Sequence, residues 1–235
     1  MRKRVTILAA KINEVERMGV QIGRVEKSEW RRKQIQLIAS ETILNGEVVV
    51  SELPLVSVPT EDCLLKNPAW VLTQVIVRNT KLLEHFVGLQ LKVSDFTMHL
   101  DADDLSLRKK MSVLSNLDEK FVQRIYFGFA TNNIAYFRSC DRDIGGYGIY
   151  PLLSRSNHSC RPNVDIRPGN IKKREVQLVA IKDIEKGEAI AWSYVNAPEF
   201  LSACRAVRVN TLLEYFCFAC QCDRCNMEMR LKLKE

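Results

Sequence analysis

The chain has 235 residues, 46% of them hydrophobic and 27% charged, and its formal net charge is +7. This is the composition of an ordinary globular protein that can bury one sizeable core and carry an appended subdomain. No apolar run approaches the length of a membrane span, and Val5–Ala10 is too short for the core of a signal peptide. We therefore expect neither a membrane protein nor a secreted one, and we place the protein in the nucleus, the cytoplasm or both.

Short basic runs occur at Arg2–Arg4, Arg31–Lys33 and Lys172–Arg174, among other places. Runs of this kind usually form a solvated face of a protein. A contact with nucleic acid is the alternative, and only the positive charge and the cysteines favour it. We therefore favour a solvated face, and a nucleic-acid contact stays possible with weak support.

Eight cysteines are present, and four of them lie between residues 217 and 225. Cys220, Cys222 and Cys225 are spaced so closely that three thiols can converge on one ion. Tetrahedral zinc needs a fourth ligand, and Cys160, close to His158, is the best candidate. The alternative is a set of buried free thiols. The density and spacing favour zinc in a reducing compartment.

The first part of the chain predicts a leader followed by a hairpin. Residues 1–24 are basic, and their apolar residues Ile7, Leu8, Ile12, Val15 and Met18 lie near one face of a helix. The leader either packs on the core or serves as a localisation sequence, and we favour packing. Alternation in 35–39, a turn at Asn45–Gly46 and a return strand from Val48 predict a β-hairpin.

Helical patterns dominate the middle of the chain. Asn67 and Pro68 are suited to cap and begin a helix that continues through Leu83. Two more helices are predicted at Leu105–Asn116 and at 117–131. Three residues in this region could bind metal but are too scattered to form a site, so we expect them to have surface or packing roles: Cys63, His85 and His99.

The last third of the chain predicts strands and then a helix. Asp141–Gly148 is rich in glycine and charge, which predicts a loop, and Cys140 just before it has no expected role. Val176–Ala180 and Ala189–Tyr194 are predicted strands, separated by a turn at Lys186–Gly187. Pro198 is expected to end the core, and Leu201–Tyr215 is predicted to be a helix that leads into the cysteine cluster.

The segment Gly148–Asn163, with Asn-His-Ser-Cys-Arg-Pro-Asn at its end, resembles the SET-domain protein lysine methyltransferases, and most closely their SET-and-MYND branch. The match continues in register through four other segments: Leu37–Leu55, Ala180–Glu188, Ile190–Tyr194 and Cys217–Cys225. The resemblance covers roughly residues 25–60 and 130–226. The cysteines and histidines of a MYND finger are missing from 60–130, and only ten residues follow Cys225, so the C-terminal helical-repeat domain of that branch is not expected.

The resemblance implies an α+β protein, with a mostly β SET fold of short sheets, a helical insertion and a C-terminal post-SET zinc-binding segment. The implied divisions are a leader (1–24), the first half of the SET core (25–60), the helical insertion (61–130), the second half of the core (131–200) and the zinc segment (201–235).

The implied activity is the methylation of lysine side chains in proteins, with S-adenosylmethionine and zinc as cofactors. The substrate would be a protein or peptide that carries a lysine, histone or non-histone, and the enzyme would be a monomer with no membrane partner. The implied catalytic residues are Tyr194 and Tyr215. The implied cofactor-binding residues are Gln36, Leu37, Asn132, Asn157, His158, Tyr194 and Phe218, and the zinc ligands are Cys160, Cys220, Cys222 and Cys225.

Two departures from the family pattern support a second hypothesis. Gln34 and Gln36 stand where the family usually has glycines that let the backbone approach the cofactor. Phe216 stands where the family often has a tyrosine, so Tyr215 would compensate only if the register slipped by one residue. The alternative to an enzyme is therefore an inactive SET-fold protein that serves as a zinc-stabilised binding or regulatory module.

For Asn132, two interpretations are equally favoured: a contact with the cofactor, and a polar residue that ends a helix.

Overall fold

The computed structural model describes residues 20–26, 33–62, 67–88, 102–195, 197–216 and 218–232. The helices in these ranges are α1 (Pro68–Val77), α2 (Thr80–Gly88), α3 (Ala102–Ser115), α4 (Glu119–Ala130), α5 (Pro198–Ser202), α6 (Arg205–Phe216) and α7 (Asp223–Lys232). The strands are β1 (Val20–Glu26), β2 (Lys33–Ala39), β3 (Val48–Glu52), β4 (Val56–Pro59), β5 (Asn133–Phe137), β6 (Ile144–Ile149), β7 (Asn157–His158), β8 (Val164–Pro168), β9 (Val176–Ala180) and β10 (Ala191–Trp192).

These elements belong to two compact units. One contains Pro54–Pro151, and the other contains the described residues of Ala10–Leu53 and Leu152–Glu235. The mixture of helices and short, mostly antiparallel sheets confirms the α+β class. The five-part division of the chain stays a prediction. Among the helices that the structure describes, none combines the length and apolar character needed to span a bilayer.

The helical region of the first unit begins as the sequence predicts. The Asn67 side-chain oxygen accepts a hydrogen bond from the Ala69 backbone N–H at 2.9 Å, and Pro68 occupies the first turn of α1. The predicted single helix to Leu83 is wrong, because α1 ends at Val77 and α2 begins at Thr80. Asn79 lies between them, and its side chain accepts from the Leu82 N–H at 3.1 Å, which caps a new helix.

The next two helices, α3 and α4, match the predictions to within a few residues. The Asp118 carboxylate caps α4 by accepting from the backbone N–H groups of Lys120 and Phe121. The rings of Trp70 and Tyr126 stack with centroids 4.1 Å apart, which packs α1 on α4 in the core of this unit. Cys63 and His99 lie outside the described residues, and the backbone of His85 belongs to α2.

The loop predicted at Asp141–Gly148 is wrong, because β6 begins at Ile144 and is the central strand of the sheet β4-β6-β5. Its glycines allow close packing. A Cβ on Gly146 would lie 2.1 Å from the Val58 carbonyl oxygen, and the φ of Gly146 is +157°. Composition predicted a loop because glycine usually marks turns, whereas here it lets neighbouring backbones approach.

The second unit contains a strand pair that the sequence did not predict. Val20–Glu26 pairs antiparallel with Lys33–Ala39, with Gly23 opposite Gln36. Strand β1 therefore begins at Val20, inside the stretch 1–24 that was assigned to a partly helical leader. The apolar residues that suggested a helix, Ile7 to Met18, lie outside the described residues.

The predicted hairpin between residues 35 and 50 is also wrong. Strand β3 pairs with β9 in the sheet β3-β9-β8 rather than with β2. The second edge of β2 is occupied by the segment before β10, because the Ile190 N–H donates to the Leu37 carbonyl at 3.0 Å and the Ala39 N–H donates to Glu188. The turn at Gly46, with a φ of +90°, therefore connects two different sheets.

Later elements follow the prediction with shorter strands and a divided helix. Strand β9 has the predicted bounds, but only Ala191–Trp192 of the predicted strand 189–194 is regular, and it pairs in parallel with Asn157–His158. The helix predicted at 201–215 is divided into α5 and α6. Pro198 begins α5, as its fixed φ favours at a first helical position.

Glu52 fixes the start of the segment that leads to Asn157. Its carboxylate is 3% exposed and accepts hydrogen bonds from the backbone N–H groups of Leu152 and Leu153 at 2.9 to 3.0 Å. Burial raises the pKa of Glu52 from 4.5 to about 7, and it outweighs the two N–H donors, which lower the pKa.

This buried carboxyl predicts a pH dependence of stability. The unfolded chain releases the Glu52 proton near pH 4.5, whereas the folded protein keeps it until about pH 7, so rising pH in this window favours unfolding. The loss is on the order of 3 kcal/mol. In urea unfolding at pH 5 and pH 8, Glu52→Gln should remove this pH-dependent loss, whereas Glu41→Gln, at an exposed carboxyl, should keep it. An unchanged pH profile in Glu52→Gln would contradict the assignment.

Candidate functional site

Four cysteines of the second unit converge on one point. The Sγ atoms of Cys160, Cys220, Cys222 and Cys225 all lie within 4.8 Å of one another. Cys160 Sγ is 3.6 Å from Cys225 Sγ and 3.9 Å from Cys220 Sγ. A tetrahedral zinc ion with Zn–S bonds of about 2.3 Å holds its sulfurs about 3.8 Å apart. The four thiols predicted from the sequence therefore fit zinc in number, element and spacing.

Local structure explains how the four sulfurs meet. Cys160 follows the short strand β7, Cys220 and Cys222 precede α7, and Cys225 lies in the first turn of α7. The Cys222 backbone N–H is 3.5 Å from Cys220 Sγ, so the chain turns tightly around that sulfur. The pKa of the Cys220 thiol is raised by its hydrogen bonds with Cys160 and Cys222 and by burial. A divalent cation that replaces the thiol protons would stabilise the thiolate forms of these cysteines.

His158 joins this cluster to Tyr194. Its Nδ1 accepts a hydrogen bond from the Tyr194 backbone N–H at 3.0 Å, so a neutral ring carries its proton on Nε2. Nε2 lies 3.4 Å from Cys160 Sγ. Burial lowers the pKa of His158 to about 4, which keeps the ring neutral. Both ring nitrogens are therefore engaged inside the protein, and the imidazole links Cys160 to Tyr194.

Tyr194 is held from both ends. Its hydroxyl donates to the Ser156 carbonyl at 3.1 Å, and Ser156 in turn donates its own hydroxyl to the Ile190 carbonyl at 2.9 Å. Burial raises the pKa of the Tyr194 hydroxyl, so it stays protonated. The tyrosine is thus a fixed neutral group rather than a base.

Aromatic side chains surround the Tyr194 ring. Trp192, Phe216 and Phe218 lie with ring centroids 5.2, 5.5 and 6.1 Å from it. Tyr215 is 68% exposed on α6. Phe216 rather than Tyr215 therefore faces Tyr194, which is the arrangement without a register slip, and the catalytic role of Tyr215 stays a prediction.

The residues at and beside the positions where the family usually has glycines lie in regular β-structure. Leu37 is fully buried in β2, and Gln36 beside it is half-buried. Gln34 belongs to the same strand, opposite Val25. The loop of glycines expected for the family is therefore replaced by the N-terminal half of a seven-residue strand.

Three asparagines have clear structural contacts. The Asn132 amide donates to the Gly128 carbonyl at 2.8 Å, which terminates α4, as the helix-end alternative predicts. Asn163 is 3% exposed, and its side chain accepts from the Ala191 N–H and donates to the Ala189 carbonyl. Asn157 pairs with Ala191 in the short parallel sheet.

Two residues near the site were not singled out from the sequence. Glu52 orders the backbone ahead of Asn157, and Arg208 is a fully buried arginine of α6 beside the cysteines. Arg208 lies one turn before the buried Leu212, so a basic residue on the apolar face of a predicted helix was the available signal.

Residues 34–195 match the model of the SET domain, which is more than half of the chain. The chain belongs to the SET-domain family. This confirms the resemblance drawn from the sequence and the SET fold within the α+β class.

Curated relatives cover only part of this protein. "Histone-lysine N-methyltransferase set5" of Schizosaccharomyces pombe is 39% identical over 83 residues, which are 35% of this chain and 24% of the relative. "Protein-lysine N-trimethyltransferase SMYD5" of Gallus gallus is 30% identical over 134 residues, 57% of this chain and 29% of the relative. The solved SET domain of LSMT bound to lysine and AdoHcy is 13% identical, with a TM-score of 0.48, and the match covers 90% of this chain and 56% of that one. The chain thus spans about a quarter of the length of these two curated relatives.

The cysteine cluster predicts that metal and fold are lost together. Cys222→Ser should reduce the bound zinc from one ion per chain towards none, because serine is a poor ligand for zinc. The melting temperature should fall by roughly 10 °C, since about 1 kcal/mol corresponds to 2–4 °C in a chain of this size. Zinc content is measured by elemental analysis and melting by calorimetry. Cys140→Ser, at an exposed cysteine outside the cluster, is the control and should change neither. Equal zinc and equal melting in both variants would disprove the metal assignment.

Proposed function

We propose that this chain is a protein lysine methyltransferase that uses S-adenosylmethionine. The observation that carries the proposal is the half-buried Tyr194, whose hydroxyl is aligned by the Ser156 carbonyl and whose ring is walled by aromatic side chains. Membership of the SET-domain family supports it, as do the relatives that are named as lysine methyltransferases. Proteins or peptides that carry a lysine, histones among them, are the substrates that we propose, and the nucleus or cytoplasm is the proposed location.

S-adenosylmethionine, when bound, would supply an electrophilic methyl group on a sulfonium sulfur. The residues that we propose to hold it are Leu37, Asn157, the backbone of His158 and Phe218. Their chemistry fits such a ligand, because Phe218 is half-buried beside His158, with ring centroids 5.9 Å apart, and can stack on an adenine. Asn132 stays a candidate, although its amide has the helix-end contact described above.

The aromatic wall prepares the lysine. A free lysine has a pKa of about 10.4 and is charged at neutral pH, so its amine must lose a proton before it can attack. Trp192, Phe216 and Phe218 would exclude water around the amine, and desolvation disfavours its charged form. No acid–base triad is required for this step.

Tyr194 then orients the amine. Because its own proton is donated to Ser156, the Tyr194 oxygen is left to accept a hydrogen bond. An amine that donates to this oxygen has its lone pair aimed away from the tyrosine. Orientation of this kind is worth orders of magnitude in rate.

The alternative, an inactive binding module, is favoured by one observation. Gln36 is half-buried in β2, where a glycine would have left room for the cofactor. The strand pairing answers this in part, because the residue opposite Gln36 is Gly23. Directly opposed residues of an antiparallel pair point to the same face, so one of the two positions carries no side chain. This supports a cofactor pocket that Gln36 reshapes rather than closes.

Binding of S-adenosylmethionine and of its demethylated product to the zinc-loaded protein tests the choice between enzyme and module. Calorimetric titration should show micromolar affinity, about −8 kcal/mol. Gln36→Gly should bind at least as tightly, and Gly23→Leu should bind more weakly, because it fills the cross-strand space. Folded, zinc-loaded protein that binds neither ligand would exclude the enzyme and favour the module.

Tyr194→Phe should separate binding from catalysis. It removes only the orienting oxygen, so methyl transfer to lysine peptides should fall by about 100-fold or more while cofactor affinity is unchanged. The measurement is transfer of a radiolabelled methyl group, with Tyr215→Phe as the matched control at an exposed ring. A Tyr194→Phe rate equal to that of the control would refute the role of the hydroxyl.

Phe216 should influence how many methyl groups are added. A phenylalanine at this position offers no hydroxyl to a water or amine beside Tyr194. Phe216→Tyr adds a hydrogen-bonding group there, and we expect mass spectrometry of a peptide product to show a lower average methylation state. An identical product distribution in both proteins would show that this ring does not limit methylation.

A further inference from the structure

Arg208 carries a positive charge in the protein interior, where the desolvation of a charge costs free energy. Among the described lysines and arginines it is the one whose side chain is buried, at 0% exposure. A guanidinium stays protonated in proteins, so burial must be compensated by neighbouring charges and hydrogen bonds. The contacts of the guanidinium therefore indicate the role of Arg208.

The Arg208 guanidinium contacts both a carboxylate and the cysteine cluster. Nη2 lies 2.6 Å from Glu228 Oε2 and 3.9 Å from Cys225 Sγ, and the guanidinium also interacts with the Cys160 thiol. Nη1 donates to the Ala203 carbonyl. Nε has no hydrogen-bond partner within the described part of the chain, so these hydrogen bonds do not fully compensate for its desolvation.

Glu228 does not account for Arg208 by itself. Its second oxygen, Oε1, pairs with Arg224 Nε at 2.9 Å, one turn earlier on α7. Arg224 is partly exposed and also donates to the carbonyls of Cys160 and Leu201. The single negative charge of Glu228 is thus shared between two arginines, which leaves one positive charge facing the thiols.

The zinc site supplies the missing negative charge. When one Zn²⁺ replaces the protons of four thiols, the site changes from neutral to a net charge of about −2, since each thiolate carries −1. A fixed positive charge beside the sulfurs therefore favours the loaded state over the empty one. Arg208 provides such a charge, because its Nη2 lies 3.9 Å from Cys225 Sγ.

We propose that Arg208 is the counter-charge of the four-cysteine metal site and sets how tightly the site holds zinc. It is a positioning residue, because it acts through Cys160 and Cys225 rather than on a substrate. The proposal goes beyond methyl transfer, and metal retention can be measured whether or not the protein is an enzyme.

Competition for zinc with a chromophoric chelator tests the proposal on the full chain. Arg208→Met, which removes the charge but keeps an apolar side chain, should weaken zinc binding about 10- to 100-fold, as is usual when a partner of a metal ligand is lost. Arg208→Lys keeps the charge and should recover most of the loss. Arg161→Met, at an exposed arginine next to Cys160, is the matched control and should change the affinity by less than about 3-fold, because exposed charges are screened.

Glu228→Gln separates the counter-charge from a purely structural tie between α6 and α7. If Arg208 serves the thiols, removal of the competing carboxylate should leave zinc affinity equal or higher. If Arg208 only pairs with Glu228, both Glu228→Gln and Arg208→Met should weaken zinc binding alike, and that result would overturn the proposal.

Cobalt provides a second readout, because its spectrum reports on the metal–sulfur bonds directly rather than on metal affinity. The sulfur-to-metal charge-transfer band of the Co²⁺-loaded protein should shift in Arg208→Met and return in Arg208→Lys. Should Arg208→Met fail to fold, the other two variants decide: near-native affinity in Arg208→Lys with no loss in Glu228→Gln supports the counter-charge, and a loss in either one refutes it.

Discussion

The meeting of Cys160 with Cys220, Cys222 and Cys225 is the constraint on which the second unit depends. Cys160 and Cys220 are sixty residues apart in sequence, and closing a loop of this length costs about 4 kcal/mol of chain entropy. The apolar cluster at this end is small, because three of its five buried side chains are the cysteines themselves, beside Phe200 and Leu212. Structural zinc contributes on the order of 10 kcal/mol, which exceeds the cost of closure. A zinc ion bound at these four cysteines would therefore contribute more than apolar burial to holding α5, α6 and α7 against the segment that carries Cys160.

The same constraint reaches the candidate reaction centre through one imidazole. His158 accepts from the Tyr194 backbone on one side and lies against Cys160 Sγ on the other, so the position of the tyrosine depends on the position of Cys160. The hydroxyl end of Tyr194 is held by the backbone at Ser156. The segment 157–163 therefore has three roles. It contributes Cys160 to the cysteine cluster, it orients Tyr194 through His158, and its Asn163 accepts a hydrogen bond from the backbone of β10.

Much of the candidate site was predictable from local sequence, because ligand chemistry depends on residue type and short spacing. Three of the four thiols are neighbours in the chain, and a tetrahedral ion requires a fourth, which led to Cys160. Helices were predicted for the same local reason, since caps such as Asn67 and Asp118 act within three residues. The predictions that failed involve distant partners. Gly146 marked a loop by composition, but its close contact with the Val58 carbonyl places it in a central strand.

The sequence by itself determined the family, the cysteines that cluster and most helices, because these follow from residue types at fixed short separations. Only the tertiary structure decided which strands pair, that Phe216 rather than Tyr215 faces Tyr194, and that Gly23 lies opposite Gln36. It also revealed the buried charges of Glu52 and Arg208, whose partners lie 100 and 20 residues away. Strand partners and buried charges are properties of contacts between distant parts of the chain, and no local pattern records them.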